Sequence, residues 1–148
     1  MRFRALDIVS DWYWVRSHVE CVMCANTKGI VATNDAGFIL GAVIADSWSH
    51  NCVQAHVAAT TPMVWKHGLH KEFFKWIFTE TGREQIIGFT PANNKRAVKF
   101  NRHMGFTETY RLPDGYDKGV DYIMFRMLKS ECKYLEQEDA NTANQRAA

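Results

Sequence analysis

The run Phe38-Ile-Leu-Gly-Ala-Val-Ile-Ala45 contains no polar side chain. Successive side chains of a strand point to opposite faces, so a strand with one wet face alternates apolar with polar. An unbroken apolar run instead fits a strand covered on both faces. The neighbours of this run read as its partners. Gly29-Ile-Val-Ala-Thr33 precedes it across the turn Asn34-Asp-Ala-Gly37, and Cys52-Val-Gln-Ala-His-Val-Ala58 follows a polar turn at residues 47–50. On this third strand of the meander, Cys52, Gln54, His56 and Ala58 share one face, and Val53, Ala55 and Val57 the other.

The cover has to come from helices. Residues 4–9 read as a short first strand, after which Ser10 is placed to cap a helix that starts with Asp11 and runs to about Cys24. Thr60-Thr-Pro62 breaks the third meander strand, and residues 68–81 carry Leu69, Phe73, Trp76 and Ile77 at helical spacing, with Gly82 just past the end. Residues 85–90 form a further strand. Pro91-Ala-Asn-Asn94 opens a second such helix, with Ala97, Phe100 and Met104 as its buried stripe and Lys95, Lys99 and Arg102 outward, closed by Gly105. Residues 106–112 and 120–127 read as an antiparallel pair. The fold class expected is α/β (α+β): a mixed sheet with helices on both faces.

A length of 148 residues fits one domain, expected over residues 1–132, with a polar and disordered tail at 133–148. The formal charge of +2 gives no reason to expect nucleic acid, and the aromatic residues between Lys66 and Arg102 recur at core spacing rather than as stacking platforms. No apolar run approaches the roughly 20 residues of a membrane helix. Four cysteines without a secretory signal fit a reducing cytoplasm better than a disulfide framework.

The most specific pattern is residues 90–106, Thr-Pro-Ala-Asn-Asn-Lys-Arg-Ala-Val-Lys-Phe-Asn-Arg-His-Met-Gly-Phe. It resembles the late strand–helix–strand segment of the GNAT acyltransferases, in which Asn-x-x-Ala opens a helix that a Gly-Phe pair closes. The matching residues are Asn94, Ala97, Gly105 and Phe106. The meander and the closing segment 117–127 fit the same family, so the resemblance covers nearly all of residues 1–132. In style the chain is similar to GNAT proteins encoded by bacteriophages, which would act in the host cytoplasm.

The resemblance implies a twisted, mostly antiparallel sheet with a V-shaped splay between strand 52–58 and strand 85–90. Acetyl-CoA would lie in that slot as co-substrate, its pantetheine paired with the backbone of Val57 and Ala58, with Asn94 and Phe100 beside it. Its pyrophosphate would sit at the start of the following helix. The family's phosphate loop is Arg or Gln, two residues, Gly, one residue, then Gly or Ala. Trp65-Lys-His-Gly68-Leu-His70 keeps only the first glycine, which makes Lys66, His67, Gly68, Leu69, His70 and Lys71 the candidate phosphate-binding residues. The basic and imidazole side chains could supply charge there, or His70 could obstruct the phosphates.

Acetyl transfer to an amine needs a proton acceptor, a donor to the thioester carbonyl and a proton for the leaving thiolate. His56 is either the base at the slot or a core histidine with its ring satisfied. Backbone N–H groups at Val57 or Ala58 would polarise the carbonyl. Many relatives carry a tyrosine acid on the second helix; the matching residue is Asn101, leaving Tyr110, Tyr122 or solvent for that role. Asp46 and Asp121 are either acceptor-binding carboxylates or turn and strand-end residues. The acceptor is a primary amine of a small molecule, a peptide N-terminus or a protein lysine. One clear N-terminal helix, where many relatives have two, would leave the acceptor side open and favour a peptide or protein. Homodimers are common in the family.

Other chemistries have their own residues. Cys21-x-x-Cys24 and His50-x-Cys52-x-x-x-His56 have zinc-like spacing, but the first pair falls on the expected helix, and no metal site is assigned. Cys52 as an acyl-carrying nucleophile would need an activating base. A protein that kept the fold and lost turnover, acting as an acyl-CoA-binding or interaction module, is the alternative to the enzyme.

Overall fold

The computed structural model describes residues 1–135. Seven strands form one sheet: β1 (Arg2–Ala5), β2 (Lys28–Thr33), β3 (Ile39–Asp46), β4 (Cys52–Ala59), β5 (Gln85–Pro91), β6 (Thr107–Asp117) and β7 (Val120–Leu128). Their order is β1-β2-β3-β4-β5-β7-β6. Every neighbouring pair is antiparallel except β4 and β5, which run parallel. The helices are α1 (Ile8–His18), α2 (Met63–Lys66), α3 (Leu69–Lys75) and α4 (Lys95–Met104).

The apolar β3 is covered on both sides as its sequence requires. Ala42 and Ile44 pack with Val31 against Val15 of α1. Val43 and Ala45 face the other way, into a cluster with Val64, Leu69, Phe73 and Phe74 of α2 and α3 and with Ile77 just past α3. Val98 of α4 covers Ile123 and Phe125 of β7. Phe106 packs against both of those last two clusters, so α3 and α4 share one face of the sheet and α1 takes the other.

Several boundaries differ from the sequence reading. Asp7, not Ser10, caps α1, its carboxylate accepting from Val9 N at 3.0 Å. Asp11 is buried inside the first turn, where Arg4 of β1 donates to both its oxygens at 2.6 and 2.9 Å and ties strand to helix. The helix stops at His18 because Val19 turns extended and packs with Cys21 against the α1 core. Cys21 and Cys24 therefore lie on a loop. The helix expected at 68–81 starts earlier and is broken: Gly68, at φ +98°, separates α2 from α3 in a backbone conformation that favours glycine. A π-helical turn, Trp76–Glu80, then carries the chain to Gly82. On α4 the fully buried positions are Val98 and Met104, whereas Ala97 and Phe100 are half-buried. The tail expected to be disordered from 133 lies outside the described residues beyond Leu135; its Tyr134 stacks on Phe74, with ring centroids 5.5 Å apart.

Candidate active site

β4 and β5 pair only through Cys52–Gln85, Val53–Ile86 and Gln54–Ile87. Past Gln54 the two strands diverge, as the V-shaped splay requires. Gly88 sits at the fork, where a Cβ would stand 3.4 Å from the Ala55 carbonyl oxygen. Strand edges left apart inside a sheet expose backbone donors and acceptors that a ligand can satisfy. The gap is a cleft of about 430 Å³ that passes between the two faces of the sheet. On the α3–α4 face it is lined by Trp65, His70, Phe74, Phe100, Met104 and Phe106; on the α1 face by His18, Glu20, His56, Phe89, Tyr116 and Tyr122.

His56 reaches the cleft from β4 and places Nε2 2.9 Å from Asp46 Oδ2 of the adjacent β3. A carboxylate can only accept, so this contact puts the imidazole proton on Nε2 and leaves Nδ1 as the basic nitrogen. The Asp46 side chain is 8% exposed and its Oδ1 has no hydrogen-bond partner among the described residues. The His56 ring is held by Asp46 at the edge of the cleft.

The remaining candidates divide. Val57, Asn94, Phe100 and His70 line the cleft; Ala58, Lys66 and Lys71 do not. His67 faces a separate depression beside Met1 and Asn34. Gly68 and Leu69 are buried at the start of α3, and their neighbour His70 turns inward, boxed by Trp65, Phe74 and Tyr134. Burial, then the charges of Lys71, His103 and Lys133, pushes its pKa down to about 4. His70 is therefore neutral at pH 7 and supplies no positive charge to the loop. Asn94 caps α4, its Oδ1 accepting from Ala97 N at 3.1 Å, which leaves its amide nitrogen for other contacts. Phe100 packs on Trp65 with centroids 4.9 Å apart.

Asn101 donates through Nδ2 to the Thr90 hydroxyl at 2.8 Å and so ties α4 to β5 beside the cleft. Tyr122 lines the cleft, but Tyr110 lies exposed on the edge strand β6 and is out of reach. Asp121 accepts from Asp114 N and serves the hairpin turn. Burial pushes the Cys52 thiol up, the opposite of an activated nucleophile. Among the described residues, no group of three His, Cys, Asp or Glu side chains is placed to hold a metal, so the zinc-like spacings do not converge. No helix among them is long and apolar enough to cross a membrane.

The sequence reading missed His18, Glu20, Phe89 and Tyr116. Tyr116 donates to Glu20 at 3.2 Å across a separation of 96 residues, a contact that no local pattern announces.

Solved structures share this architecture over nearly the whole chain. The spermidine/spermine N-acetyltransferase SpeG of Vibrio cholerae, in complex with manganese ions, aligns with a TM-score of 0.74 at 16% identity, covering 92% of this chain and 95% of that one. Mutant forms of the same enzyme give 0.75 at 15% identity, over 92% and 98% of the two chains. A chimera of that enzyme with hSSAT gives 0.74 at 14% identity, over 91% and 99%. The fold is that of the GNAT acetyltransferases. No protein-family model matches the sequence. No curated protein matches it either.

Proposed function

We propose that the protein is an N-acyltransferase that moves an acetyl group from acetyl-CoA directly to a primary amine. The β4–β5 splay with the His56–Asp46 dyad at its edge carries this reading. The unpaired edge of β4 around Val57 and Ala58 suits the pantetheine amides as an added strand. Asn94, Phe100 and the aromatic residues of the α3–α4 face would flank it, and the N–H groups at the Gly68–His70 turn would receive the phosphates, with Lys66 and Lys71 nearby in sequence. His56 Nδ1 takes a proton from the acceptor ammonium. The neutral nitrogen attacks the thioester carbonyl, the C–N bond forms, and the C–S bond breaks. The attacking nitrogen releases its second proton to solvent as the amide forms, and the departing thiolate takes up a proton from Tyr122 or solvent, since Asn101 has no proton to give.

Titration calorimetry with acetyl-CoA and desulfo-CoA, followed by CoA release on an amine panel, tests the proposal. The panel starts with spermidine, the amine named for the fold neighbours, and includes peptides. Micromolar binding with CoA release supports it; no binding of either cofactor overturns it. One observation favours the alternative of a binding protein without turnover: Asn101, engaged with Thr90, stands where relatives carry the acid. Binding without CoA release on any amine would select that alternative.

A further inference from the structure

The α1 face of the cleft has a chemistry of its own. Histidines aside, Glu20 is the one side chain lining the cleft, among the described residues, that carries a formal charge; no Lys or Arg lines it. Asp46 lies just behind His56 and adds to the negative field. Beside Glu20 stand three aromatic rings. Tyr116 donates to both Glu20 oxygens at 3.2 and 3.3 Å. Tyr116 meets Tyr122 edge-on at 5.3 Å, and Tyr122 meets Phe89 edge-on at 5.9 Å. Tyr116 and Phe89 are 39% and 41% exposed, so this wall faces solvent at the mouth. A carboxylate beside the faces of several rings attracts an ammonium ion through charge and through the ring quadrupoles, with the rings taking its alkyl chain.

We infer that Glu20, Tyr116, Tyr122 and Phe89 form the acceptor subsite, and that its ligand is a small alkylammonium ion rather than a neutral or acidic molecule. This deepens the acyltransferase reading and rests on it for the name acceptor. The contact from Tyr116 to Glu20 joins the β6–β7 hairpin to the loop after α1 and narrows the mouth, which suits a slender amine better than a lysine on a folded protein surface.

The probe is n-butylamine, with 1-butanol as its neutral counterpart, titrated at low salt into wild type, Glu20→Gln and Glu20→Asp, with and without desulfo-CoA. Butylamine should bind and butanol should not at the same concentrations. Glu20→Gln should weaken the amine about five- to tenfold, in keeping with a partly exposed charge and cation–π contact, and Glu20→Asp should recover part of that loss. Equal binding of amine and alcohol, amine binding unchanged in Glu20→Gln, or no amine binding by wild type would each overturn the subsite. CoA release is read separately. Glu20-dependent amine binding without any transfer would sink the acyltransferase reading and leave the subsite standing. Transfer indifferent to Glu20 would do the reverse.

Discussion

His56 Nε2 lies 2.9 Å from Asp46 Oδ2, and the second Asp46 oxygen is buried without a hydrogen-bond partner among the described residues. A carboxylate held this way fixes both the orientation and the tautomer of its imidazole, which then offers its other nitrogen to the cleft. General-base catalysis is worth roughly 10²–10⁴ in rate. His56→Ala should therefore lower kcat by about 10²-fold with acetyl-CoA affinity unchanged. Asp46→Asn should lower kcat at least about tenfold through loss of the tautomer, again without moving the KM for acetyl-CoA. Steady-state kinetics beside calorimetry check both. If Asp46→Asn leaves kcat intact, the dyad plays no part in proton transfer.

Gly68 has φ +98° and opens α3. A side chain there is strained, so a substitution has to separate strain from charge. Asn tolerates the left-handed region better than most residues, and it is nearly isosteric with Asp. Gly68→Asp should bind acetyl-CoA about tenfold more weakly than Gly68→Asn if a phosphate sits at this turn, a difference on the order of 1 kcal/mol as for charges at a helix start. Calorimetry on the two variants reads that ratio directly. Equal affinities would move the phosphates elsewhere.

The buried His70 makes a prediction about stability. Its ordinary pKa is about 6.5, and burial holds it at about 4 in the folded chain. Between those values the unfolded chain takes up a proton that the folded chain refuses. Stability therefore falls as pH is lowered from 6.5 to 4 and levels off below, by up to about 3 kcal/mol from this residue. His70→Phe removes both the titration and the unpartnered Nδ1, and its ring suits the aromatic box. Urea midpoints for wild type and variant should diverge on acidification, with the variant favoured. Parallel curves from pH 7 to 4 would show that His70 is accessible to protons in the folded state.

How much of this could be read in the chain follows from where the information lies. The two-sided cover of β3 is written in eight adjacent apolar residues, and the closing Gly105 in a single φ of +96° that glycine accepts readily. His56 was legible because period 2 fixes its face. The α1 boundaries were not, because Ser10 and Asp7 are equally good capping residues and only the tertiary pull on Val19 and Cys21 ends the helix at His18. The burial of His70 was not legible, since nothing local shows that Tyr134 and Phe74 close over it. Glu20 and Tyr116 meet only once the hairpin folds across the loop after α1.

Asn94 holds two roles that one substitution can separate. Its Oδ1 accepts from Ala97 N at 3.1 Å as the cap of α4, and its side chain also lines the cleft. Loss of such a cap costs about 1 kcal/mol. Asn94→Ala should therefore lower stability by about that amount. Asn94→Ser keeps an oxygen that can cap the helix but removes the amide nitrogen, and should unfold close to wild type. If the amide also holds the cofactor, Asn94→Ser should still weaken acetyl-CoA, by about three- to tenfold for one neutral hydrogen bond. Unfolding midpoints and calorimetry on the pair decide it. A serine variant that matches wild type in both measurements would make Asn94 a helix cap and nothing more, and the pantetheine would then depend on the β4 edge alone.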